Sequence, residues 1–450
     1  MNDRATDGYL QRCLDGNSGL LDVMQSIDIP PVLSAACAGR LIPRPFFVDE
    51  TEIQRCAADL VDLFGLMSSL PERLFDGDTT AYCAALGIDP RRAGLMRRLT
   101  GLPEMYGRAD LYHDGSSFKL LEYNVDSALG GIDRAEISRL LLQVKAFREF
   151  AEEFQLDYIH TGERIAKILR RVSQPLTGGA DPVVAFVETN GGLNPYLSVY
   201  RSYQEMMRRF GLDVVLGEVS QVRSQGGRLF LQGKPIDVIL RCFDIDEVLA
   251  DPAGDRAVEP IFRAHEDGKV ILWTKMQSGL VANKGCLALL SDPRWRHAFS
   301  STEKDVIDRI LPWTRTLVAG PTESSEGLVD LIDYCKDNRE HLILKPHVGY
   351  SGDGIVAGWE STAADWKEAL SSASKDGYIV QRRVIPRNEP VVNPESRRIQ
   401  NWDAVWGVFI TPDGYAGSQI RGIPAGEDAI INLGTSASVG VGTVFHSADV

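Results

Sequence analysis

The chain has 450 residues, 44% of them hydrophobic and 24% charged, the proportions of a globular protein with ample core. Its 48 Lys and Arg stand against 62 Asp and Glu, a formal net charge of -14. That balance argues against a protein built to neutralise nucleic-acid phosphate or an anionic membrane, though a small anionic ligand needs only a local positive pocket.

Composition also excludes collagen, coiled coil, wholesale disorder and a disulfide scaffold. Seven scattered cysteines show no CxxC and no Cys/His pair at zinc spacing, so they read as free thiols in a reducing cytoplasm. The opening MNDRATDGYLQRCLDG lacks a signal-peptide core, and no apolar run reaches the roughly 18 residues of a membrane span. The expectation is a soluble, cytoplasmic protein with no membrane or nucleic-acid partner.

Residues 1-105 read as a mainly helical region, with helical apolar spacing over 52-70 and a Pro-marked helix entry in GIDPRRAGLMRRL. Residues 106-125, YGRADLYHDGSSFKLLEYNV, alternate around a DGSS turn and read as a β-hairpin. Helical periodicity returns over 134-172, and 173-181 (SQPLTGGAD) is a linker by composition. Strands and helices then alternate through about 275, which suggests a small parallel α/β domain over 180-275. Beyond 300 come a helix, the strand HLILKPHVG, a Gly-rich turn, another helix, the strand YIVQRRVIP and several antiparallel strands. The division expected is 1-105, 106-179, 180-275 and 276-450.

Centred on Ser116, the hairpin opposes Asp110 with Glu122, Arg108 with Asn124, and Tyr112 with Leu120. Alternation then puts Arg108, Asp110, Glu122 and Asn124 on one face. Asp opposite Glu is destabilising unless something positive sits between them. Two carboxylates and an amide oxygen suit a hard divalent cation, and Mg²⁺ shares its shell with phosphates. Alone, the pattern also fits a solvated hairpin face.

LILKPHVGYSGDGI delivers Lys345 from a buried strand, followed by Gly349, Gly352 and Gly354. Glycines let backbone N–H groups approach phosphate oxygens, and a cation in a strand interior needs an anionic partner. The loop has neither Walker A nor Rossmann spacing. Lys284 in GLVANKGCLALL and Arg421 in GSQIRG are further candidates for phosphate, each otherwise a surface residue. At the end of PVVAFVETNGG, Thr189 and Asn190 sit where open α/β sheets face ligands, and with Arg241 they are candidates for substrate contact.

Together these residues resemble the ATP-grasp superfamily, in the circularly permuted branch typified by the synthetase part of glutathionylspermidine synthase. Arg108-x-Asp110, then Glu122-x-Asn124, then NKGCLALL, LILKPHVGYSGDGI, YIVQRRVIP and GSQIRG keep that family's order over roughly 106-445. The resemblance implies an α/β (α+β) permuted ATP-grasp fold, with a small parallel α/β domain preceding the nucleotide-binding lobes and a helical N-terminal region. It implies that Asp110, Glu122 and Asn124 hold two Mg²⁺ ions bridging the phosphates of ATP. Arg108 would contact the reacting carboxylate or acyl phosphate, and Arg421 would stabilise transition-state charge. Lys284 and Lys345 would bind phosphates, the Gly349–Gly354 loop with Tyr350, Ser351 and Gly352 would close over them, and the strand Tyr378–Gln381 would lie against adenine.

The activity implied is ADP-forming ligation of a small-molecule or peptide carboxylate to an amine through an acyl phosphate. An N-terminal Cys/His amidase pairing is absent, and glutathione and spermidine are not carried over as substrates. A phosphotransferase on the same scaffold and a nucleotide-binding regulator are the alternatives.

Overall fold

A computed structural model describes residues 4-447 except 17, 127, 325, 326, 350, 351, 429 and 435. The longest helix, Glu50–Phe75, follows the predicted spacing, with Ile53, Ala57, Leu60, Leu63, Phe64, Met67 and Leu70 buried. The Asp49 side chain caps its start by accepting from the Glu52 amide. Burying each large apolar side chain is worth about 1.5–3 kcal/mol, so this face ties the N-terminal region to the sheet beneath it. Among the described residues, no helix is long and apolar enough to cross a membrane.

The sheet beneath it has eight strands. Its main path runs β1 (Phe46–Asp49), β21 (Gly440–Ser447), β20 (Gly414–Pro424), β19 (Ile399–Thr411), β2 (Gly107–His113) and β3 (Phe118–Val125). Off that path, β18 (Glu389–Val392) pairs with β19 and β4 (Leu156–Asp157) with β21. The β1–β21 pair is parallel and joins the two ends of the chain; the others are antiparallel.

A second sheet is wholly parallel, in the order β11 (Ile271–Trp273), β10 (Val238–Arg241), β5 (Val183–Glu188), β6 (Asp213–Glu218). Val184 to Val187 and Val238 to Leu240 are buried, as unbroken apolar runs covered on both faces should be. A meander of β7 (Arg223–Gln225), β8 (Arg228–Leu231) and β9 (Lys234–Pro235) links β6 to β10. A third, antiparallel sheet runs β12 (Thr314–Thr316), β17 (Tyr378–Arg382), β15 (Leu342–Pro346), β16 (Val356–Ala357). The hairpin of β13 (Pro321–Ser324) and β14 (Gly327–Asp330) follows β12 in sequence.

Three local expectations change. The stretch 173-181 is not all linker, because the helix Thr161–Thr177 runs through Pro175 and ends where Gly178 turns left-handed at φ +62. The region 1-105 includes a strand, β1, which joins the large sheet. The hairpin pairs Asp110 with Glu122 and Arg108 with Asn124 as expected, but Tyr112 faces Lys119 rather than Leu120. A bulge at Leu121 shifts the register there, and it turns out to matter.

Candidate functional site

The large sheet and the third sheet face each other across a cavity of about 300 Å³. Asp110, Tyr112 and Glu122 reach it from β2 and β3, Asp403 from β19 and Arg421 from β20. Ile343, Lys345 and Gln381 reach it from β15 and β17. Ile355, Val384, Ile430 and Val405 supply apolar wall, and the Arg383 guanidinium lies 4.1 Å from the centre of the Trp359 ring at the same cavity. That combination of apolar wall and a few convergent polar groups suits a small ligand.

Arginines hold the hairpin's carboxylate. Arg108 donates from Nε to Asp110 Oδ1 at 2.7 Å and from Nη2 to Oδ2 at 3.0 Å. Arg421 Nη2 donates to the same Oδ2 at 2.7 Å, and Asn124 Nδ2 approaches it at 3.3 Å. Burial alone would raise the Asp110 pKa, but the charges of Arg108 and Arg421 outweigh it and hold the carboxyl far below the usual range. Glu122, across the strand pair, is more open at 27% side-chain exposure, with Lys284 Nζ 3.4 Å away.

The two lysines arrive by different routes. Lys284 starts the helix Gly285–Ser291 and also donates to the Gly349 carbonyl at 3.2 Å, which ties it to the Gly-rich loop. Its backbone is fixed by the His347 carbonyl, which accepts from the Lys284 amide, while His347 Nδ1 and Asn283 Nδ2 both donate to Leu86 O. Lys345 Nζ donates to the Leu121 carbonyl at 2.8 Å and to Gln381 Oε1 at 2.7 Å. The bulge supplies that acceptor, since an unpaired bulge residue has its carbonyl free of the ladder. Lys345 is 4% exposed and makes no ion pair among the described residues, and burial lowers its pKa to about 8. Its hydrogen-bond partners are neutral, and the charges of Glu122 and Asp110 act on it only through space.

Gly352 and Gly354 both take left-handed backbone at φ +83 and +71 where the chain turns from β15 into β16. A side chain at 354 would also meet the Tyr378 hydroxyl at 2.9 Å. Tyr350 and Ser351 lie outside the described residues, and Gly352 lines the cavity.

The substrate candidates lie elsewhere. Thr189 Oγ1 and its amide donate to Glu188, and Asn190 bridges Asp251 and the Ser220 amide. Arg241 is 2% exposed and spans Thr274 O, Phe243 O, Asp126 and Ser278. None of the three lines the cavity. Arg241→Leu is therefore expected to cost about 3 kcal/mol of stability, the low end for a broken buried pair because Asp126 is partly solvated. Chemical denaturation measures it, and an unchanged midpoint would contradict the structural role.

Sequence reasoning missed Tyr112, Trp359, Arg383 and Asp403. Tyr112 could have been found, since alternation puts it on the face of Arg108 and Asp110.

Among the described residues, no three His, Cys, Asp or Glu side chains gather as a metal cage. A magnesium ion that shares its shell with phosphates asks for less, and Glu122, the Asn124 amide oxygen and Asp110 are all-oxygen donors of the right hardness. Glu122 is the open ligand; to join it, Asp110 would exchange its guanidinium partners for the ion and Asn124 would turn its amide, whose Nδ2 faces both carboxylates.

No protein-family profile matches the chain, and no curated protein matches it in sequence. Solved structures do. A glutathione synthetase-like effector from Globodera pallida, solved without ligand, aligns with a TM-score of 0.55 at 12% identity over 90% of each chain. A gamma-glutamylcysteine synthetase-like protein from Methylobacillus flagellatus KT aligns at 0.43 and 14% identity, over 86% of this chain and 87% of the other. At such identities the likeness to the effector speaks to architecture, and by it this chain has the fold of a glutathione synthetase-like protein.

Proposed function

We propose that the chain is an ATP-dependent ligase that joins a carboxylate to an amine and releases ADP and phosphate. The observation that carries this reading is Lys345, a buried ammonium with no ion pair among the described residues, which lines one cavity with the hairpin carboxylates Asp110 and Glu122 and with Arg421. The reading extends the resemblance of the sequence to the permuted ATP-grasp ligases, and the synthetase-like fold is in keeping with it.

A carboxylate does not acylate an amine in water without activation. In the proposed reaction an oxygen of the acid attacks the γ-phosphorus of ATP and the bond to the β,γ-bridging oxygen breaks. ADP leaves with that electron pair. The amine nitrogen then attacks the acyl carbon, the C–O bond to phosphate breaks, and the nitrogen loses a proton. Lys345 and Lys284 hold phosphate oxygens and neutralise charge that develops there. Arg108 and Arg421 orient the acid and steady the transferring group. Glu122, with Asn124 and Asp110, holds magnesium, up to two ions, whose role is to screen phosphate charge. The apolar walls beside Gln381 receive the base, and no nucleophilic Ser or Cys is required.

With acid labelled in its carboxylate oxygens, one label should appear in the released phosphate. Phosphate free of label would exclude an acyl-phosphate route. The Lys345 pKa near 8 sets a second expectation. Phosphate binding favours the charged ammonium, so nucleotide Kd should be flat below that pH and rise by up to about tenfold per pH unit above it. Titration calorimetry across pH reads this, and the same rise in Lys345→Met would assign it to another group.

A further inference from the structure

We propose that Asp110 occupies the guanidiniums of Arg421, at the cavity wall, and Arg108, behind it, in the unliganded chain as a built-in surrogate for the reacting acid. The inference rests on the nucleotide-dependent reading above and adds a conditional step to it. Arg108 meets the two Asp110 oxygens as a fork, at 2.7 and 3.0 Å, the two-point geometry by which arginine takes a carboxylate or phosphate. Arg421 closes on the same carboxylate from β20 at 2.7 Å.

Between them runs β19, and its residue opposite Asp110 is Gly407. A Cβ there would stand 2.9 Å from Gln419 Cγ and 3.1 Å from Arg108 Cδ, so the missing side chain leaves room for both stems beside Asp110. Asp110 is 2% exposed, yet Arg421 lines the cavity and hydrogen-bonds no other side chain among the described residues. Arg421 is therefore presented at the cavity and already taken, while Arg108 sits behind it with Nη1 donating to the Gly130 carbonyl at 2.8 Å.

A divalent cation drawn to Asp110 and Glu122 competes with both guanidiniums for the same oxygens and repels them. Their N–H groups are then released toward the cavity. Capture of the acid, or retention of inorganic phosphate in its place, becomes conditional on metal and nucleotide. Asp110 is in this account a positioning residue for the arginines as well as a ligand.

The probe is inorganic phosphate, read by calorimetry with no turnover involved. The wild-type chain alone should take up none at millimolar concentration, and Mg·ADP should tighten its binding by about tenfold or more. Asp110→Asn keeps the shape and removes the charge, so it should bind phosphate without nucleotide, and adding Arg421→Met should abolish that binding. Equal phosphate affinity of the wild type with and without Mg·ADP would overturn the proposal. So would an Asp110→Asn protein that melts cooperatively but gains no phosphate. If Asp110→Asn does not fold, Arg421→Met in the presence of Mg·ADP decides, loss of phosphate supporting the subsite and retention refuting it. Should the wild type fail to bind Mg·ADP at all, the nucleotide reading falls, while the phosphate titration of Asp110→Asn still judges the subsite.

Discussion

Lys345→Met is expected to weaken Mg·ATP binding by about 30-fold or more while leaving a folded protein. Removing one partner of a desolvated charge pair costs about 2–5 kcal/mol, and a triphosphate would be the missing partner of this ammonium. In the chain alone the same change strips a donor from the Leu121 carbonyl and from Gln381. An unsatisfied buried acceptor costs about 1–3 kcal/mol, partly offset because a charged group no longer has to be kept out of water. The melting temperature should therefore fall modestly and the transition should stay cooperative. An unaltered nucleotide affinity would make Lys345 a structural cross-link between β15 and the hairpin bulge and nothing more.

Glu122→Gln is the second large effect. The change is isosteric and relieves the opposition to Asp110, but it also removes the charge partner of Lys284 3.4 Å away, so stability should fall modestly. Turnover should fall by about 100-fold or more, since a metal's neutralisation of transferring phosphate is worth several kcal/mol. Melting curves and steady-state ADP release measure the two halves. Activity that survives with unchanged magnesium dependence would remove Glu122 from the metal site.

The hairpin was legible because its pattern is local. A four-residue turn sets the register, alternation sets the faces, and Asp opposite Glu signals a missing positive charge. The bulge was not legible, because Leu120 and Leu121 are alike and only the packing decides which one leaves the ladder. Lys345 yielded to the argument that a cation inside an apolar strand needs a partner. The same argument applies to Arg241 in VILRCF, and it would have pointed to a buried structural arginine bonded to Asp126 rather than a ligand contact.

The remaining elements needed contacts that spacing does not encode. β1 pairs with β21 across almost the whole chain, and parallel pairing leaves no turn signature. Trp359 and Arg383 stack from two irregular segments that meet only in the folded cavity. Pro175 and the glycines after it look like a linker by composition, yet the helix absorbs the proline in its last turn.

The central claim is tested most directly by incubating the protein with Mg·ATP and a pooled panel of carboxylic acids, with and without amines, and following ADP, phosphate and product masses. The account predicts ADP and phosphate release that needs both partners, with a product whose mass is acid plus amine minus water. Stable phosphorylated acid or alcohol formed without any amine would contradict ligation and make the chain a phosphotransferase.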